Sequence, residues 1–160
     1  MQSDDPPSQS EMLSQALKSL RKLRRLRPND VARAMGMPLR SYEHFEAGRG
    51  RLNLDRIHQF AEATDTDGFA ILACLSLKSP AFALRCADNK LMMILMLALQ
   101  DFDEGAKDDI ARLDASTVIG MFRRLFQDLA TEASGRGLLV QDLISRKTLT
   151  PAPPKDPEAE

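Results

Sequence analysis

Apolar residues along this chain recur mostly at intervals of three and four, the spacing that lines one face of an α-helix. From Glu11 to Arg25, Met12, Leu13, Ala16, Leu17, Leu20 and Leu23 form such a stripe opposite a basic side, with Ser10 as the expected N-cap. Pro28 suits the first turn of a second helix, where its missing N–H costs nothing, and Gly36 ends that helix. A third helix runs from Leu39 to Ala47 and stops at Gly48. After the loop GRGRLN, Asn53 caps a fourth helix with Leu54, Ile57, Phe60, Ala61 and Thr64 on one face. Asp67 caps a fifth, GFAILACLSL. Five short helices on one core make a unit over 11–78.

Ser79-Pro80 is a new start signal and opens a second helical unit over 79–146. Leu91 to Leu99 is an unbroken apolar run, which predicts a helix enclosed on all sides. Asp103 to Asp109 reads as an acidic loop containing a glycine. Asp114 caps a further helix bearing Val118, Ile119, Met121, Phe122, Leu125, Phe126 and Leu129, ended by Gly135 and Gly137, with a short helix over Leu138–Ser145. Residues 1–10 and 147–160 are polar and proline-containing and are expected to be disordered.

The informative segment is Pro28 to Ala47, PNDVARAMGMPLRSYEHFEA, which reads as two short helices joined by a tight turn. Ala32 sits where the second helix crosses the first, so a larger side chain would push the pair apart. Gly36 can take φ > 0 and let the next helix leave at a steep angle. Val31, Met35, Met37, Tyr42 and Phe45 fill the inside of the elbow. This is a helix-turn-helix.

Charge strengthens that reading. The chain of 160 residues carries a formal charge of −1, yet eleven basic residues face four acidic ones between Leu17 and Arg56. A basic segment coinciding with the elbow is the footprint of phosphate binding. Trp is absent, aromatic residues make up 5%, and Leu, Met and Ala are plentiful, which favours helices over sheets. Together these predict an all-α fold: a five-helix DNA-binding domain followed by a helical C-terminal domain. There is no apolar stretch of membrane-spanning length and no secretory leader pattern, so a cytoplasmic, nucleoid-associated location is expected. Cys74 and Cys86 read as small buried hydrophobes. Two histidines and two cysteines offer no metal-ligand spacing, and no nucleophile–base pair is visible. Neither an enzyme activity nor a cofactor is expected. Glu46 reads as a helix-end residue bonding locally.

Leu17 to Leu75 resembles the Xre family of phage-repressor-like helix-turn-helix proteins. The resemblance rests on DVARAMGMPLRSYEHFEAGRGRLNLDRIHQFAEA: the Ala32-x-x-x-Gly36 core, the close at Phe45-Glu46-Ala47-Gly48, and Ala61 in the following helix. It implies a five-helix domain that docks its third helix in the major groove, usually as a two-fold dimer on a pseudo-palindromic operator. The family commonly has Ser or Thr then Gln where Arg27 and Pro28 stand here. The phosphate or base contact of that Gln is therefore lost or taken over by Arg27 or Asn29. Pro38 replaces the usual Ser/Thr cap of the recognition helix.

Tyr42 and Phe45 point inward, so Leu39, Arg40, Glu43, His44 and Ala47 share the outer face of the third helix. Arg40 matches guanine O6 and N7, Glu43 can accept from cytosine N4, and Leu39 can meet a thymine methyl. His44 can donate to a base edge or a phosphate, and Ser41 lies nearer the groove wall. Arg49 and Arg51, in a glycine-flanked loop, are candidate phosphate ligands, and Arg24 and Arg25 are weaker ones. For the C-terminal half, Leu91, Met92, Leu95, Val118, Phe122, Leu125, Phe126 and Leu129 are candidates for pairing with a second subunit. Met92, Met93, Met96 and Met121 offer the alternative of a ligand pocket or protein-binding surface. The expected partners are double-stranded DNA and a second copy, with no membrane. The expected function is a sequence-specific transcriptional regulator, foremost a repressor. The alternatives are an antitoxin-like protein-binding module with autoregulatory DNA binding, and an activator.

Overall fold

The computed structural model describes residues 7–148, and side chains as far as residue 135. It is all-α: α1 (Gln9–Leu23), α2 (Pro28–Ala34), α3 (Leu39–Glu46), α4 (Leu54–Thr64), α5 (Gly68–Ser76), α6 (Pro80–Arg85), α7 (Leu91–Ala106), a 3-10 helix (Lys107–Arg112) and α8 (Ala115–Thr148). The stretches expected to be disordered lie mainly outside the described residues, at 1–6 and 149–160. The helices divide into two compact units, one ending at Lys107 and one beginning at Asp108.

Local chemistry sets most of the helix ends. The N-cap of α1 is Ser8 rather than Ser10, because Ser8 can form a capping box: Glu11 N–H donates to Ser8 Oγ at 3.2 Å, and Ser8 N–H donates to Glu11 Oε2 at 2.7 Å. These bonds hold the Glu11 carboxyl below the usual carboxylate range. Asn53 and Asp67 cap α4 and α5 as expected, accepting from Arg56 N–H at 3.1 Å and Ala70 N–H at 3.1 Å.

In the first unit α1 is the central element, packed against α3, α5 and α6, while α2 packs on α3 and α4. Leu17, Leu20, Val31, Tyr42, Ile57, Phe60 and Ile71 are fully buried at its centre. Each large apolar side chain so buried contributes on the order of 1.5–3 kcal/mol. Cys74 and Cys86 are free and buried, and burial pushes the Cys74 thiol up to about 11. Leu54, expected on the core face of α4, is exposed at 56%; it occupies the first turn, ahead of the point where α4 meets the core. The unit extends beyond Lys78, since α6 packs on α1 and α5 and α7 packs on α5.

Three expectations fail in the C-terminal half. The apolar run in α7 is not enclosed: none of its residues is buried, and Ile94, Leu97, Leu99 and Phe102 are exposed. Only the first turns of α7 find a partner in α5. The expected loop at Asp103–Asp109 is helix to Ala106 followed by the 3-10 turn, because Gly105 keeps helical dihedrals. Nor do Gly135 and Gly137 end α8, which continues to Thr148 with no separate helix over Leu138–Ser145. A glycine ends a helix when it takes φ > 0, and Gly135 does not. In the second unit none of the described side chains is buried.

Candidate nucleic-acid interface

The elbow is built by a glycine doing what only glycine does cheaply. At Gly36 (φ +62°) the N–H of Met37 donates to Ala32 O at 3.0 Å, and that of Gly36 to Arg33 O at 3.0 Å. This Schellman pair closes α2 and redirects the chain into α3. Gly48 (φ +70°) closes α3 the same way, with Arg49 N–H on His44 O at 3.2 Å. A Cβ at Gly48 would meet the carbonyl of Ser10, and Ser10 Oγ donates to Gly48 O at 2.6 Å. The end of α3 is therefore pinned to the start of α1.

The inner face of α3 is held by packing and by a buried ion pair. Phe45 stacks obliquely between Tyr42 and Phe60, with ring centroids 6.3 and 6.1 Å away. Glu46 is buried, and it bonds beyond its own helix. Its Oε1 accepts from Tyr42 Oη at 2.7 Å and from Arg21 Nε at 2.5 Å, and Arg21 also donates to Leu26 O at 3.1 Å. Burial, then the bond to Glu46, pushes the Tyr42 phenol well above its ordinary value, while Glu46 raises the Arg21 guanidinium. The expectation of purely local bonding at Glu46 is thus corrected: the residue ties α3 to α1 across 25 positions.

The outer face is free. Leu39, Arg40, Ser41, Glu43 and His44 are exposed, with Ala47 half-buried. Pro38 offers no side-chain acceptor to the first-turn N–H groups. Arg27 and Asn29 are exposed at the start of α2, where Asp30 takes the Arg27 N–H at 3.2 Å. Arg49 and Arg51 are exposed in the loop after α3. Arg40, Ser41, Glu43, His44 and Ala47 line one open depression together with Arg49 and Arg56. Arg51 is not part of it. Arg56, in the first turn of α4, has no motif to mark it in the sequence, because only the fold of the loop over 48–53 brings it there.

The basic residues separate into two sets. Arg21 pairs with Glu46. Arg24 donates to Thr64 O, Asp65 O and Ala87 O and pairs with Asp88 at 2.8 Å, so it binds helix ends. Among the described residues no carboxylate pairs with Arg27, Arg40, Arg49, Arg51 or Arg56. Arg21 and Arg24 thus serve the fold, while Arg40, Arg49 and Arg56 line the depression without a carboxylate partner among the described residues.

Among known protein families, residues 13–70 match the model described as a helix-turn-helix domain. The match runs from within α1 to the first turn of α5, which includes the elbow and the depression beside it. No curated protein and no solved structure matched the chain. The chain thus carries a helix-turn-helix domain, which points to a DNA-binding regulator. Among the described residues no helix is long and apolar enough to cross a membrane.

Proposed function

We propose that this chain is a sequence-specific transcriptional regulator of the Xre type, foremost a repressor, that occupies promoter DNA as a homodimer with α3 in the major groove. The observation that carries this reading is the contrast between the two faces of α3. Tyr42, Phe45 and Glu46 are buried and locked, while Leu39, Arg40, Glu43 and His44 are exposed on the opposite side. A rigid helix with its outer face unpaired and cations around it is what groove reading requires. Arg40 reads guanine, Glu43 accepts from cytosine N4 and Leu39 meets a thymine methyl. Ser41, Arg27, Asn29, Arg49 and Arg51 hold backbone phosphates.

A single half-site is bound weakly, and pairing two domains raises the effective concentration of the second. α8 supplies a surface for it: Phe122, Leu125, Phe126 and Leu129 are exposed on one side, with Val118 half-buried and the Phe122 and Phe126 rings stacked at 6.5 Å. An apolar face of this kind gains stability by packing against another surface. On α7, Leu91, Met92 and Leu95 are half-buried, so Ile94, Leu97 and Phe102 carry more of its available apolar surface.

Two experiments test the reading. Light scattering on the purified chain should give a dimer; a monomer would transfer the α8 face to a different protein partner. A reporter driven by the bound promoter should rise on deletion of the gene and fall on overexpression. The opposite response would make the protein an activator.

A further inference from the structure

α7 lies beyond residues 13–70, the stretch that matches the helix-turn-helix domain, and it carries a surface pattern of its own. Ile94, Ala98 and Phe102 recur at every fourth position and form one exposed row along the helix. Leu97, Asp101 and Glu104, at intervals of four and three, form the row beside it and are exposed as well. Apolar surface therefore runs from Ile94 to Phe102 and is edged by two carboxylates toward the carboxyl-terminal end. Among the described residues no cation pairs with Asp101 or Glu104. No basic residue occurs from Leu91 to Ala106.

The start of this helix is fixed. Buried Asp67 accepts from the N–H groups of Met92 and Met93, and Lys90 donates to Asp65. α7 is thereby anchored at the junction of α4 and α5, and the face beyond its first turn is presented without a further ordering cost. A second copy of α7 is a poor cover for it. That copy brings Asp101, Asp103 and Glu104 with no cation on the helix, and Lys90 is already engaged by Asp65. Like charges brought together across an interface oppose association. We propose that this face docks an amphipathic helix of a different protein, whose apolar stripe is edged by lysine or arginine where it meets Asp101 and Glu104. The pairing of two copies then stays with α8, and the chain carries two docking faces of different specificity.

The probes are two labelled synthetic peptides of about 20 residues, long enough to be helical. Both carry the same leucine stripe, edged by lysine in one and by glutamate in the other. Each is titrated into the full chain and followed by fluorescence anisotropy. The wild type should bind the lysine peptide about tenfold or more tightly than the glutamate peptide. Asp101→Lys/Glu104→Lys should reverse that preference, and Leu97→Asp should abolish binding of both peptides. Asp103→Lys, on the opposite side of the helix, should leave the preference unchanged. All four side chains are exposed, and an unchanged thermal melt confirms that each variant folds. Because no DNA is present, failure here leaves the DNA-binding reading untouched.

A wild type that binds neither peptide, or both equally, overturns the proposal. So does a preference that survives Asp101→Lys/Glu104→Lys, or one that Asp103→Lys removes, since bulk charge would then explain the binding. Leu97→Asp that binds like the wild type would place the contact elsewhere on the chain. If sedimentation gives a dimer for the wild type and a monomer for Leu97→Asp, the face belongs to a second copy and the heterologous partner is refuted.

Discussion

At the scale of single residues, Glu46 and Gly48 fix where α3 sits. Glu46 and Arg21 are both largely withdrawn from water, at 7% and 13% side-chain exposure. Removing one member leaves the other buried and uncompensated, which costs about 3–5 kcal/mol. Glu46→Ala is therefore expected to lower stability in urea by that order and to weaken binding of specific and scrambled DNA alike, since the whole of α3 loosens. The glycines make a graded pair. Gly36→Ala meets no neighbouring atom and carries only the cost of the left-handed conformation, roughly 1 kcal/mol. Gly48→Ala bears the same cost and also collides with the Ser10 backbone, so its melting temperature should fall clearly further. Equal losses at the two sites would contradict the account of how α3 is anchored.

At the scale of elements, what could be read from the sequence was whatever depends on near neighbours. Pro28, Gly36, Asn53 and Asp67 each act within a few residues, so α2, the elbow, α4 and α5 were legible. The Arg21–Glu46 pair was not, because it joins residues 25 positions apart and the local spacing around each is compatible with a solvated charge. Arg56 was missed for a related reason: its place beside α3 depends on where a glycine-rich loop returns the chain. The apolar run in α7 misled because the same letters describe a helix buried in its own domain and one with an exposed apolar face.

Asp67 shows how a local signal acquires a second role. Beyond capping α5, its Oδ2 accepts from Met92 and Met93 N–H at 2.8 and 3.1 Å, so one buried carboxylate holds the starts of two helices. Lys90 adds a bond to Asp65 Oδ1 at 3.0 Å. Asp67→Ala should cost about 2–3 kcal/mol, above a single cap, and should speed amide exchange at the start of α7 as well as α5. Exchange confined to α5 would refute the shared cap. The exposed carboxylates add a pH dependence. Hydrogen bonds hold Glu11 to Ser8 and Asp114 to Ser116 and Thr117, and Lys90 holds Asp65, each below its ordinary value. A depressed carboxylate stabilises the fold above its unfolded value near 4 and loses that contribution as pH falls. Stability should therefore be flat from pH 7 to about 5 and decline below about 4.

At the scale of the whole molecule, basic charge is concentrated in the first unit, while exposed apolar helix surface occurs in both, on α7 and on α8. The basic stretch belongs to the helix-turn-helix unit, and the second unit has an apolar helix face with nothing in its own described residues to cover it. If the chain pairs through α8 as proposed, double substitution of Phe122 and Leu125 by Asp should give a monomer while the first unit keeps its melting transition. Affinity for a two-half-site operator should then fall by about a hundredfold, the order expected when the second binding event is no longer intramolecular. A variant that stays dimeric would move the interface elsewhere.

The central claim is that the outer face of α3 reads DNA sequence, and Arg40 carries most of it. The most direct measurement is the affinity of wild type and Arg40→Ala for the mapped operator and for a scrambled duplex across a salt series. The account predicts a loss of about tenfold or more on the operator, with little change on the scrambled duplex. Equal weakening of both would reduce Arg40 to a phosphate contact and contradict sequence reading by this helix.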